Sequence, residues 1–220
     1  MAPILLGQPR TLELGADLGI TSCDKAGLEG PRAGLLAGSP DLVDRIVARA
    51  SELGLEARAP LMLGVLRTLE RFDPGALREE ARVAREVATR LRARFGVQRV
   101  QETLLGPTIP EEDVLSIAVE RGGRASDPPV LVPAEASCAL GMVLLERHGM
   151  LTSNAAERPG ARVSLRLRPH PEEVARFGGP EKVVDVIDDA FRQLGEIQAD
   201  PLQVEAIILG PRTPPGRVRP

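Results

Sequence analysis

Aromatic side chains make up 2% of this 220-residue chain, which has no tryptophan and no tyrosine. Surfaces that read single-stranded RNA stack bases on rings, so that function has little to build on. The net charge of −3 offers no basic field for a phosphate backbone either. Nucleic acid is therefore not expected as a partner. Cys23 and Cys138 are the only cysteines, too few for a disulfide framework. His148 and His170 are the only histidines, and they do not cluster with the cysteines. No zinc spacing exists, and no metal is expected. No apolar run approaches the roughly 20 residues that cross a bilayer. The short run near the start, Ile4 to Leu6, has no basic residues before it of the kind that open a signal peptide. The reading is a protein without membrane spans and with a cytoplasmic location. Its length allows one large domain or two small ones.

Lysine is scarce in a telling way. The chain has 28 Lys and Arg residues, and all but Lys25 and Lys182 are arginine. Arginine replaces lysine freely on a wet surface, but its guanidinium stays charged and cannot form an imine. Each remaining lysine therefore invites a question. Lys182 sits at a helix start and reads as a solvated side chain. Lys25 sits in a short polar turn between two apolar segments. By count alone, an ordinary loop lysine would look the same.

Residues 16–22 read as a short strand, 23–32 as a Gly-rich polar turn, and 33–37 as a second strand closed by Gly38. Ser39 and Pro40 open a helix whose apolar face is Leu42, Val43, Ile46, Val47 and Ala50. Pro60 opens another, and a long Arg/Glu-rich helix covers 74–94 before Gly96. Beyond it, the expectation is a strand over 97–105, a helix to about Glu120, and a polar loop over 121–129. A short strand at 130–132 and a helix from Pro133 to about His148 follow. Residues 161–168 alternate as a strand with Arg162, Ser164, Arg166 and Arg168 on one face. A helix over 179–197, a strand over 204–209 and a loose Pro-rich tail over 211–220 complete the chain.

Around Lys25 the chemistry is compact. Ser22, three residues before the lysine, can reach a phosphate while the amine reaches a carbonyl carbon. Gly27, Gly30 and Gly34 allow tight turning and close backbone approach, and Arg32 adds a fixed charge suited to phosphate. A serine with lysine as general base is a rival for the same spacing.

Residues 16–46, ADLGITSCDKAGLEGPRAGLLAGSPDLVDRI, resemble the cofactor-lysine segment of bacterial selenocysteine synthase and the related aminosugar-phosphate ammonia lyases. Ser22, Asp24, Lys25, Gly30, Pro31 and Gly34 match that pattern; Cys23 and Arg32 replace its Gly and Gln. LGVLRTLERFD at 63–73 is similar to the helix that follows there. The later half is similar to the small domain of tryptophanase and tyrosine phenol-lyase, through Val132-Pro133-Ala134, Glu146-Arg147-His148-Gly149 and Ser164 to Pro169.

The resemblance implies an α/β fold, namely the C-terminal part of the aminotransferase-like superfold that uses pyridoxal 5'-phosphate (PLP). Residues 1–73 would be the end of the large domain, 74–96 a linking helix and 97–210 a small α/β sandwich domain, before the tail. Lys25 would bind the cofactor as a Schiff base and act as the catalytic base, with Ser22 and Arg32 on its phosphate. Arg162, Arg166 and Arg168 would be candidates for the substrate carboxylate; a solvated arginine-rich strand is the alternative. Asp17 and Asp24 receive no role. The implied activity is a PLP-dependent lyase acting on an amino acid or amino sugar by α-proton abstraction and β-elimination. A seryl-tRNA selenium transferase, or a non-catalytic remnant serving as a dimerisation module, are the alternatives. Only 24 residues precede Lys25, where the superfold places its phosphate cup, stacking ring and pyridine-nitrogen acid. A truncated gene, a partner chain supplying the N-terminal half, or a degenerate remnant would each account for this. A homo-oligomer is expected, since the superfold commonly shares its active site between copies.

Overall fold

The computed structural model describes residues 1–25, 27–122, 130–153 and 162–210. The chain is mixed α/β and divides into two units, Met1–Glu79 and Glu80–Pro220.

In the first unit, a short helix α1 (Ala2–Leu6) precedes a two-stranded antiparallel sheet. Strand β1 (Leu18–Ser22) pairs with β2 (Gly34–Gly38) so that Leu18 faces Gly38 and Ser22 faces Gly34. Helix α2 (Pro40–Glu52) starts at once, with Ser39 at its cap position, Pro40 at the first turn and Asp41 behind it. Proline suits that position because the first-turn N–H groups have no helical partner anyway. Ser39 makes no side-chain capping bond, so position rather than hydrogen bonding defines this start. Helix α3 (Ala59–Glu70) follows, and α4 (Pro74–Phe95) begins in this unit and crosses the boundary after Glu79. Neither α2 nor α3 has a buried residue, although both carry the apolar faces that their spacing implies. Ile46, Val47, Met62, Leu63, Leu66 and Leu69 are exposed.

The second unit has a continuous core. Val83, Val87, Leu91 and Phe95, four residues apart on α4, lie on the same helix stripe and are buried. Helices α5 (Glu111–Arg121), α6 (Pro133–His148) and α8 (Pro180–Ile197) pack on one another. Their buried faces include Val114 and Ile117, Leu140 and Leu144, and Ile187, Phe191 and Leu194. Each such side chain stabilises by roughly 1.5 to 3 kcal/mol on burial. The Phe95 and Phe191 rings meet edge to face with centroids 5.1 Å apart. Helices α5 and α8 approach so closely that a Cβ on Gly195 would lie 2.1 Å from the carbonyl oxygen of Ala118. On the wet side, Arg94 of α4 binds Asp188 at 2.8 Å and Asp185 at 3.0 Å on α8.

Strands β3 (Gln101–Thr103), β4 (Gly106–Ile109) and β5 (Leu165–Arg166) form a small antiparallel sheet in that order. The single strand expected over 97–105 is instead a turn after Gly96, then β3, then a tight reversal into β4. Residues 130–132 are not a strand. The Val132 N–H donates to Glu135 at 3.0 Å and thereby starts α6.

The expected strand over 161–168 shrinks to Leu165–Arg166, paired with Ile109 and Thr108 of β4. Ser164, assigned to the arginine face, is in fact buried. A short helix α7 (Pro171–Phe177), absent from the expectation, follows.

The expected strand over 204–209 is helix α9 (Pro201–Leu209). Asp200 accepts from the N–H groups of Leu202 at 3.0 Å and Gln203 at 3.3 Å. With Pro201 next, these cap contacts outweigh the strand-like run of Val204, Ile207 and Ile208. Residue 161, positions 123–129 of the loop expected over 121–129 and the tail expected over 211–220 lie outside the described residues, and Arg121 of that expected loop ends α5.

Candidate functional site

Lys25 sits in the turn that joins β1 to β2. The sheet continues one step past its last paired residues, since the Cys23 N–H donates to the carbonyl of Ala33 at 2.8 Å. The Gly30 N–H then donates back to Cys23 at 2.7 Å, and the Leu28 N–H donates to Lys25 at 3.0 Å. These bonds tie the two ends of the loop together. Cys23 is wholly buried beneath it.

Gly30 is required by closeness rather than by turn angle. A Cβ there would lie 2.6 Å from Thr68 Oγ1 and 3.0 Å from the Cys23 carbonyl oxygen. Gly64 makes similar room for the ring of Pro31, 3.1 Å from where its own Cβ would be. Helix α3 thus underlies the turn through Gly64 and Thr68, while Gly27, at φ 82°, rests against Phe72 and Leu77.

The side chains above this base converge on Asp24. The Ser22 hydroxyl donates to Asp24 Oδ1. Lys25 Nζ lies 3.6 Å from Asp24 Oδ2, and Arg32 Nε lies 3.8 Å from the same oxygen. The Ser22 hydrogen bond, and the charge of Lys25 after it, hold the Asp24 carboxyl below the usual carboxylate range against the opposing effect of partial burial. The Lys25 side chain is 66% exposed and that of Arg32 93%, whereas Asp24 retains only 23%. The anion is the sheltered member, and the cations are the accessible ones.

All three residues singled out around the turn therefore share one partner, which the sequence reading left without a role. An Asp two residues after a Ser in a turn lies within local reach of its hydroxyl. The supporting contacts of Gly64 and Thr68 had no comparable sequence signal.

The three arginines of the second unit have separate fates. Arg162 lies 3.5 Å from Glu112. Arg168 forms a forked pair with Glu80, at 2.5 Å and 3.2 Å, and Glu80 is only 3% exposed. Arg166 has no side-chain partner among the described residues. It lines a cleft of about 740 Å³ with Arg168, Cys138, Met142, Thr152 and Ser153. Thr152 Oγ1 is buried there with no hydrogen-bond partner among the described residues. Burial first, and then the nearby charges of Glu135 and Glu111, push the Cys138 thiol up.

Among the described residues, no group of three or more His, Cys, Asp and Glu could hold a metal ion, and no helix is long and apolar enough to cross a membrane.

No protein-family model matches the chain. Curated relatives do. Over 210 residues, 94% of this chain and 51% of the relative, it is 33% identical to the UPF0425 pyridoxal phosphate-dependent protein of Methanothermobacter thermautotrophicus. It is 35% identical over 161 residues to a protein of the same description from Methanococcus maripaludis, covering 71% of this chain and 38% of that one. A further one, from Methanopyrus kandleri, is 32% identical over 83% of this chain and 45% of its own length. The chain spans about half or less of the length of these relatives, and over most of its own length it is similar to proteins named pyridoxal phosphate-dependent.

Proposed function

We propose that this chain is part of a PLP-dependent enzyme, with the cofactor held at the turn between β1 and β2. The observation that carries this reading is the convergence of Ser22, Lys25 and Arg32 on a single carboxylate. A hydroxyl, an amine and a guanidinium that already surround one anion fit a phosphate-bearing aldehyde. The similarity to relatives named for that cofactor supports the same choice. The wider architecture would be the end of a large domain, a link through α4 and a small domain of the aminotransferase-like superfold.

Bound PLP supplies an electron sink for a developing carbanion. The Ser22 hydroxyl and the Arg32 guanidinium bind the phosphate by charge-assisted hydrogen bonds. The Lys25 amine would hold the cofactor's aldehyde carbon and would serve as the base that takes the α-proton at Nζ. Of the three arginines expected to take a substrate carboxylate, Arg166 is the one with no side-chain partner among the described residues, because Arg168 is committed to Glu80 and Arg162 stands beside Glu112. The reaction is a lyase-type β-elimination on an amino acid or amino sugar. A seryl-tRNA substrate suits a chain of charge −3 with 2% aromatics poorly.

Catalysis would also need the part of the relatives' length that this chain does not span, supplied by the same polypeptide or by a partner chain. The exposed apolar residues of α2 and α3 support such a cover. Residues 1–220 alone would then bind the cofactor only weakly.

The test is borohydride trapping of the chain with millimolar PLP, followed by peptide mass analysis. Lys182 is the sole internal lysine control. Selective labelling of Lys25, lost in Lys25→Ala, is expected. Equal labelling of both lysines would favour the dimerisation module over the enzyme.

A further inference from the structure

We propose that Asp24 is an internal counter-anion of this site: it holds Ser22, Lys25 and Arg32 in place of the cofactor's phosphate and competes with that phosphate for Ser22 and Arg32. The inference rests on the cofactor reading above and adds a positioning residue to it.

Ser22 has one hydroxyl proton, and that proton is given to Asp24 Oδ1. It cannot be donated to a phosphate oxygen at the same time. Arg32 Nε faces Asp24 Oδ2 at 3.8 Å, but the guanidinium has four further N–H donors and an almost fully exposed side chain. Arg32 can therefore engage an arriving phosphate before it leaves the carboxylate. Lys25, 3.6 Å from the same Oδ2, is held toward the anion and away from bulk water on that side. The carboxylate is the most sheltered of the charged groups, so it organises the accessible ones rather than the reverse.

A phosphate seated on Ser22 and Arg32 brings a second anion close to Asp24. Two like charges about 4 Å apart in a water-like medium weaken binding by about fivefold. The arrangement keeps the turn ordered when empty and makes the site selective against weakly held anions.

The test compares PLP with pyridoxal, which lacks the phosphate, by borohydride trapping on the full chain. Half-saturating concentrations for Lys25 labelling are measured in wild type and Asp24→Asn. Asparagine keeps an acceptor for the Ser22 hydroxyl and removes the charge. The preference for PLP over pyridoxal should rise about fivefold in Asp24→Asn, and the gain should shrink in 0.5 M salt, as about 3–5 Å of Debye screening requires. The gain should vanish when Arg32→Gln is added. An unchanged or lower preference, with circular dichroism like that of wild type, overturns the counter-anion role while leaving the cofactor reading standing. A rise that survives high salt or Arg32→Gln also overturns it. Lys25 labelling no greater than that of Lys182 in both chains overturns both.

Discussion

The two units of this protein differ in what holds them together. In residues 80–210, a continuous set of buried side chains runs from Val83 through Phe191 to Val204. Among the described residues of 1–79, Cys23 and Leu77 are the only buried apolar ones, although α2 and α3 carry apolar faces of ordinary size. Yet the first unit carries the proposed cofactor chemistry. Its turn is ordered by short backbone hydrogen bonds, close glycine contacts and one carboxylate. A reactive loop can thus be shaped locally, while cooperative stability comes from elsewhere.

The largest effect that would sharpen this contrast is on stability. Phe191→Ala in α8 should cost about 3 to 5 kcal/mol in urea unfolding, because it empties a fully buried site. Leu66→Ala in α3, already 57% exposed, should change stability by less than about 0.5 kcal/mol. Comparable costs for both would break the comparison.

A smaller contrast lies within the second unit. Arg168→Gln strands the buried Glu80 carboxylate and should cost about 2 to 3 kcal/mol, partly recovered in the double variant with Glu80→Gln. Arg162→Gln removes only an exposed pair and should stay within about 0.5 kcal/mol. Neither change should resemble Arg166→Gln, which under the proposed function should raise KM for an amino-acid substrate about tenfold without altering the unfolding midpoint.

The smallest effect is kinetic and uses the two free thiols. Burial raises the Cys138 pKa, so less of it is thiolate at a given pH. Its alkylation by iodoacetamide should keep accelerating through the pH range where an ordinary thiol has levelled off. Cys23 has no exposed surface, so it should react only when the first unit opens. Its labelling should begin at urea concentrations below the midpoint of the second unit. Labelling that waits for that midpoint would show the first unit to be as firmly held as the second.

Much of the local order was legible. The strand, polar turn and strand around Lys25 follow from apolar runs separated by Gly and polar residues. Helices α4, α6 and α8 follow from their spacing and their proline starts. Errors arose where a periodic pattern needed a distant neighbour. Alternation over 161–168 is real in the sequence, but a strand exists only where β4 lies alongside. The β-branched run of α9 reads as a strand until Asp200 caps its first turn. Asp24 was within reach of local reasoning, since its partners lie at positions 22, 25 and 32.

By itself, then, the sequence determined the scarcity of lysine, the identity of the groups in the turn and the faces of its helices, because these depend on residue type and short spacing. Only the tertiary structure decided which arginine stays available. Glu80, eighty-eight positions from Arg168, takes that side chain, Glu112 stands beside Arg162, and Arg166 is left in the cleft. Such pairings depend on where chain closure brings opposite charges together, and spacing along the sequence carries no record of it.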